Sequence, residues 1–184
     1  MKKILMLIAI FALSYGRAEA SAKPSYPSVV DVHGARMTLR GEALLRVGYI
    51  FRVYWAALHV GEDAATSEVL GDVPKRLEIN YLRTISAADL ISAGDDALKR
   101  QVSAETLAAL QPRLDEINSW YRDVKAGDRY TLTYVPGHGS ELALNGAVLG
   151  VIPGADFASA YFGIWLDPRT DYKDFQSRIT GQAR

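Results

Sequence analysis

Residues 49–60 read Tyr-Ile-Phe-Arg-Val-Tyr-Trp-Ala-Ala-Leu-His-Val, and this stretch restricts the fold more than any other part of the chain. Apolar side chains occupy both the odd and the even positions. A strand with one face in water instead alternates apolar and polar residues. Apolar residues on both parities are typical of a strand in the interior of a sheet. The stretch therefore predicts a central strand that is covered on both faces.

The segments on either side of this stretch predict further strands. Residues 28–32 are rich in β-branched side chains, and residues 37–46 form a mixed strand before the central one. After it, residues 77–81 alternate apolar and polar side chains, as in a half-buried strand. These segments follow one another closely along the chain, which favours hairpins.

Two helices are predicted next. Ser86 is a suitable N-cap residue, and Asp89 follows it at the spacing of a capping box. A second helix is expected to begin at Ser103 or Ala104, with leucine and isoleucine recurring on one face. Pro112 lies inside that pattern, which predicts a kink or an early break there.

Strands return after residue 127 and helices close the chain. Residues 136–139 read Pro-Gly-His-Gly and predict a turn, and Asn145-Gly146 predicts a tight hairpin because both turn positions require positive φ. Helices are expected over residues 157–165 and 171–179. The order of strands, helices, strands and helices predicts an α+β fold, in which one layer of helices covers one face of an antiparallel sheet.

The amino terminus has the pattern of an export signal. Lys2 and Lys3 precede an apolar run over residues 4–13, and Ala18-Glu19-Ala20 forms a small-x-small cleavage site. The sequence thus predicts a signal peptide over residues 1–20, a flexible lead-in over 21–27 and one domain over 28–184. We expect a periplasmic or secreted protein without a membrane span after cleavage, because no later segment is apolar enough.

Composition excludes several classes of function. The 21 basic and 21 acidic residues balance without forming a block, so no basic face for nucleic acid is expected. Without cysteine the chain has no thiolate nucleophile and no cysteine zinc site. His33, His59 and His138 fall on separate predicted elements, and no metal or other cofactor is predicted from them.

Arginine and tyrosine stand out within the apolar strands. Arg52 and Tyr54 share a parity on the central strand, and Arg46 comes shortly before it. A buried guanidinium is costly unless it is paired. Such an arginine either reaches the rim of the sheet and pairs with a protein carboxylate there, or it binds the carboxylate of a ligand at the mouth of an apolar cleft.

The chain resembles the bacterial chalcone isomerase-like proteins. Residues 51–60 are similar to the Lys-Val-Tyr-x-Ala-Ala-Leu-Tyr-Leu strand of that family, and residues 75–90 fit the segment that follows. The most specific similarity lies in Leu144-Asn145-Gly146, residues 152–157 (Ile-Pro-Gly-Ala-Asp-Phe) and Ile164-Trp165-Leu166. The resemblance covers nearly all of the predicted mature chain. It implies an antiparallel sheet with a layer of helices over one face.

The resemblance also implies where a site would lie. Enzymes of this fold close a flavanone ring from a chalcone, whereas related members bind fatty acids without that activity. The polar positions of the enzyme cleft correspond here to Tyr54, Ser86, Ala93 and Ile164, and the family arginine corresponds to Arg46 or, with a shift of one residue, to Leu45. Most of these positions lack the hydrogen-bonding group that would stabilise the negative charge that develops on the substrate during ring closure.

We therefore expect an exported, non-catalytic protein that binds an apolar carboxylate such as a fatty acid. Its ligand-binding residues would be Arg46, Arg52, Tyr54, Tyr161 and Ile164, with an arginine at the head group and the tail between strand and helix. One alternative is an isomerase of chalcone isomerase type, or another enzyme that uses Tyr54 with an arginine. The other is a protein-interaction module whose core is filled by Tyr54, Trp55, Phe162 and Trp165.

Overall fold

The structure is a computed structural model that describes residues 23–48, 50–65 and 68–182. The predicted signal peptide and its cleavage site lie outside these residues. The strands are β1 (Val29–Val32), β2 (Ala35–Val47), β3 (Phe51–Gly61), β4 (Lys75–Tyr81), β5 (Arg129–Val135), β6 (Gly139–Leu144) and β7 (Ala147–Ile152). The helices are α1 (Ala87–Gln101), α2 (Ala104–Trp120), α3 (Ala155–Leu166) and α4 (Lys173–Ile179).

The seven strands form one antiparallel sheet in the order of the chain, from β1 to β7. The helices pack against the face that carries Leu58, Leu77 and Leu132, and these side chains are buried in one core with residues of α2 and α3. This arrangement confirms the predicted α+β fold. Among the described residues, no helix combines the length and the apolar character needed to cross a membrane.

Local signals set the ends of the first two helices. The Ser86 hydroxyl accepts from the Asp89 amide (3.1 Å), and the Ser103 hydroxyl accepts from the Thr106 amide in the same way. The predicted N-cap at Ser86 and the predicted start of the second helix are both confirmed. Of the two outcomes predicted for Pro112, the early break is wrong, because α2 runs through it to residue 120, while the kink stays a prediction. Pro112 is on the exposed side of the helix, where water can satisfy the carbonyl that loses its partner.

The predicted hairpin between β6 and β7 is confirmed. Asn145 and Gly146 have φ values of 52° and 87°, the left-handed conformation that both central positions of this turn require. The Asn145 side chain strengthens the turn, since its Oδ1 accepts from the Arg129 amide at 2.8 Å.

The second face of the sheet is also covered near its centre. His59 on β3 and Thr133 on β5 point away from the helices, yet both are buried. Residues 23–27, predicted as a lead-in, lie over this face. The His59 imidazole donates to the Pro27 carbonyl (2.8 Å), and the Tyr26 hydroxyl accepts from Asn80 (3.0 Å). The central strand is therefore covered on both faces, as its composition predicts.

The sheet is strongly curled. In a flat sheet β2 and β6 would be about 19 Å apart, four spacings of about 4.8 Å. The His33 side chain, in the turn between β1 and β2, nevertheless lies 3.0 Å from the Glu141 carboxylate on β6. Curling thus brings the β1–β2 turn into contact with β6.

Candidate functional site

A cationic rim lies at the turn end of the β2–β3 hairpin. Arg46 on β2 and Arg52 on β3 occupy directly opposite positions in the two neighbouring strands. The Arg83 guanidinium lies 5.5 Å from the centre of the Phe51 ring at the same end. Ile50 and Phe51 are 80 % and 48 % exposed at the tip. Three arginines therefore flank an exposed apolar tip.

The three rim arginines have no carboxylate partner in the described part of the chain, which is also true of Arg40, Arg122 and Arg178. The ion pairs of the described chain use different guanidiniums, and none has a rim arginine as a member. Arg46 is exposed, whereas Arg52 is half-buried. The Nε of Arg52 is inaccessible to water and has no hydrogen-bond partner. A buried donor without a partner loses the hydration energy that it has in water. The rim can thus accept an anion.

Tyr54 lies two residues further along β3, on the same face as Arg52. Its hydroxyl accepts from the Trp165 indole nitrogen at 3.2 Å. Burial raises the pKa of the Tyr54 phenol far above its ordinary value, and the Trp165 hydrogen bond opposes this only in part. The phenol is therefore neutral at physiological pH and retains a proton that it can donate.

An aromatic layer fills the space between the sheet and the helices beneath the rim. The Tyr121 and Tyr161 hydroxyls are 2.8 Å apart, and burial raises the pKa of Tyr121 to about 12. Ring contacts with centroid distances of 5.1–6.2 Å join its members into two groups, and the Tyr121–Tyr161 and Tyr54–Trp165 hydrogen bonds connect these groups. The aromatic layer consists of Tyr54, Tyr81, Tyr121, Tyr130, Phe157, Tyr161, Trp165 and Phe175.

Two clefts of the described chain lie elsewhere. One, of about 380 Å³, is bordered by Gly61 and Pro74, and the other, of about 270 Å³, is bordered by Tyr134 and His138. Neither touches the aromatic layer. Side chains of the aromatic layer, including Tyr54 and Trp165, occupy the space that the sequence assigns to a ligand tail. Trp55, which the filled-core alternative also places in this space, lies on the other face of β3.

Lys75 is a charged residue in the core of the described chain. It shares the helix-facing side of β4 with Leu77, and its side chain is completely buried. Its ammonium donates to the Gly71 carbonyl and lies 4.9 Å from the centre of the Tyr134 ring and 5.5 Å from that of Phe162. Burial lowers the pKa of Lys75 to about 8, although Asp72 opposes the shift.

Comparison with known proteins agrees with this geometry. The family model described as chalcone isomerase-like matches residues 18–179. The chain belongs to the chalcone isomerase-like family. No curated protein matches it in sequence. The crystal structure of a fatty-acid binding protein of Arabidopsis thaliana is similar to it, with a TM-score of 0.62 over 85 % of this chain and 91 % of that chain. The two sequences are 12 % identical, so this similarity shows the shared fold.

The polar positions of the family's enzymes do not assemble a polar cleft in this member. The Ser86 hydroxyl is used by the helix cap, where it also donates to the Asp89 carboxylate at 2.7 Å. Ala93 is exposed on α1. Ile164 packs against α1, where a Cβ added at Gly94 would lie 3.7 Å from its Cδ1. Of the non-arginine positions, only Tyr54 therefore keeps a polar group directed at the aromatic layer.

The structure thus separates the predicted site residues into two groups. Arg46 and Arg52 lie together at the rim, while Tyr54, Tyr161 and Ile164 lie at the helix-facing side of the sheet. Arg83 and Tyr81 belong to the rim and the aromatic layer, but they were not predicted as site residues. Tyr81 lies on the same face of β4 as Leu77 and Ile79. This alternation predicts that Tyr81 is buried, but it does not predict that Tyr81 belongs to a binding site. Arg83 follows that strand, and no local pattern connects it with Phe51.

The arrangement is suited to binding. Guanidiniums at the rim can hold a carboxylate through paired hydrogen bonds. The aromatic layer beneath them offers apolar surface and neutral hydroxyls. Aromatic rings bury large apolar areas.

Proposed function

We propose that this chalcone isomerase-like protein is an exported, non-catalytic binding protein for an apolar, carboxylate-bearing small molecule such as a fatty acid. The cationic rim of Arg46, Arg52 and Arg83 beside the exposed Ile50 and Phe51 carries the proposal. Export rests on the signal-peptide pattern of residues 1–20.

The head group is assigned to the rim because of the unsatisfied Arg52 donor. A carboxylate accepts two parallel hydrogen bonds from a guanidinium, and it would satisfy the Nε of Arg52 after a side-chain movement that exposes this atom. Hydrogen bonds to charged groups contribute about 1.5–3 kcal/mol each. Loss of one rim arginine should therefore weaken binding by at least about tenfold.

The tail is assigned to the space between β3 and α3. Trp165 is half-buried there, and its indole donates one hydrogen bond of 3.2 Å to Tyr54. Rotation of this indole would open apolar surface next to Tyr54 and Ile164 at the loss of about one hydrogen bond, or roughly 1 kcal/mol. A ligand tail would therefore displace the Trp165 indole when it binds between β3 and α3.

Titration of the purified protein with a long-chain fatty acid tests the assignment. We expect Arg46→Ala and Arg52→Ala each to weaken binding by at least about tenfold. Trp165→Ala should keep or increase the affinity. Arg36→Ala is the matched control, because Arg36 lies at the opposite end of β2 and pairs with Glu62. Unchanged affinity in the Arg46→Ala/Arg52→Ala double variant would contradict the proposal.

A second comparison separates the head group from the tail. The methyl ester of the same fatty acid keeps the tail but lacks the negative charge. If the rim binds the head group, the ester binds the wild-type protein more weakly than the acid, and this difference disappears in the double variant.

A protein-interaction module with a filled core is the second candidate, and the aromatic layer favours it. In that case the exposed tip is a contact for another protein, and Trp165 is a fixed part of the core. No fatty acid would then bind, and Trp165→Ala would lower the thermal midpoint without creating a binding site.

A further inference from the structure

His33, His138 and Glu141 form a cluster far from the cationic rim. The His33 Nε2 lies 3.0 Å from Glu141 Oε2, and the His138 Nε2 lies 3.7 Å from the same oxygen. The two imidazole rings are stacked with centroids 3.9 Å apart. Three groups that commonly bind metals are therefore gathered within 4.8 Å of one another.

The spacing of these atoms fits a tetrahedral cation. Zinc binds imidazole nitrogen and carboxylate oxygen at about 2.0–2.2 Å, which separates neighbouring ligand atoms of a tetrahedron by about 3.4 Å. The two nitrogen–oxygen distances of 3.0 and 3.7 Å lie on either side of this value. To bind one ion, the two stacked imidazole rings would have to turn so that their Nε2 lone pairs converge on it.

The backbone holds the three groups in place. Glu141 lies within β6 and its side chain is only 13 % exposed, while His138 belongs to the turn that begins this strand. His33 approaches from the β1–β2 turn, where it adopts a left-handed conformation with φ 50°. The curl of the sheet thus brings the β1–β2 turn over the turn between β5 and β6. A bound ion would join these two distant parts.

Access and charge also suit a bound cation. Both histidine side chains are about one-third exposed, at 36 % and 35 %. His138 also borders the cleft of about 270 Å³, which gives a water or a further ligand room to approach. The neighbouring Arg76 is engaged elsewhere, since its guanidinium donates to Thr133 and pairs with Glu78.

We propose that His33, His138 and Glu141 form a binding site for one zinc-like divalent cation, with a fourth coordination position left for water or another ligand. Two imidazoles and a carboxylate are a ligand set that zinc uses when it keeps one position open. Magnesium and calcium prefer sets made only of oxygen, so they should bind much more weakly. The third histidine, His59, is buried and hydrogen-bonded to Pro27, and it takes no part.

Zinc titration of the protein without a histidine tag tests the site, with a chromophoric chelator as competitor. We expect one zinc per chain. His33→Asn and His138→Gln should each weaken binding by at least about tenfold, the loss seen even for residues that only orient zinc ligands. Asparagine is chosen at position 33 because it tolerates positive φ. Glu62→Gln removes an exposed carboxylate outside the cluster and should leave the affinity unchanged.

Two results would overturn the assignment. One is zinc binding that is equally tight in wild type, His33→Asn and His138→Gln; the other is no stoichiometric binding at all. If either variant fails to fold, cobalt added to the wild-type protein decides the question. The intense visible absorption of tetrahedral cobalt supports the site, and its absence refutes it.

Discussion

Replacement of the buried Lys75 by methionine should remove a pH dependence of folding. The pKa of Lys75 is about 8 in the folded chain, against a usual value of 10.5. At a pH between these values the unfolded chain holds a proton that the folded chain has released, so the free energy of unfolding rises with pH. For these two pKa values the gain from pH 7 to pH 9 is about 1 kcal/mol.

Urea unfolding at pH 7 and pH 9 measures this gain. The wild-type protein should gain about 1 kcal/mol more than Lys75→Met over this interval. Methionine is long and flexible enough to fill the same space. Lys125→Met, at an exposed loop position, is the matched control and should behave like wild type. The interval ends below pH 10 because the tyrosines with raised pKa values begin to lower stability there. An equal pH response of wild type and Lys75→Met would refute the reasoning.

Three further variants test the packing by urea unfolding. Gly41→Ala should destabilise the fold by more than about 2 kcal/mol, since the added Cβ would lie 2.2 Å from a backbone carbonyl oxygen of α4. Unchanged stability of this variant would show that α4 can shift. Gly94→Ala should stabilise α1 by about 0.5–1 kcal/mol, because the new methyl meets Ile164 at an ordinary 3.7 Å; a loss of stability would indicate a tighter contact. Tyr161→Phe leaves the Tyr121 hydroxyl without its partner and should lower stability by about 1–3 kcal/mol, whereas no change would mean that water replaces the partner.

The two proposed sites are independent of each other. The cationic rim lies at the end of β2 and β3 that carries Arg46 and Arg52, while His33 lies beyond the opposite end of β2. Zinc binding and fatty-acid binding should therefore respond to different variants. A chain with both His33→Asn and His138→Gln should keep its affinity for the fatty acid.

Local sequence patterns determined the order and the ends of most elements. The caps at Ser86 and Ser103 and the hairpin at Asn145-Gly146 depend on residues within four positions of one another. The apolar character of residues 51–60 on both parities indicated that the central strand is covered on both faces. Such signals can be read from sequence because the backbone geometry of a turn or cap is local.

Only the tertiary structure decided how distant residues meet. His33 and Glu141 are 108 residues apart, and their contact depends on the curl that accumulates over the intervening strands. The aromatic layer likewise depends on the rotamers of side chains from both the sheet and the helices, whose spacing is set by packing. Tyrosine at an apolar position predicts burial, but it does not reveal whether the ring borders a cavity or fills one. Strand periodicity encodes which face a side chain occupies, whereas twist and packing decide what that face encloses.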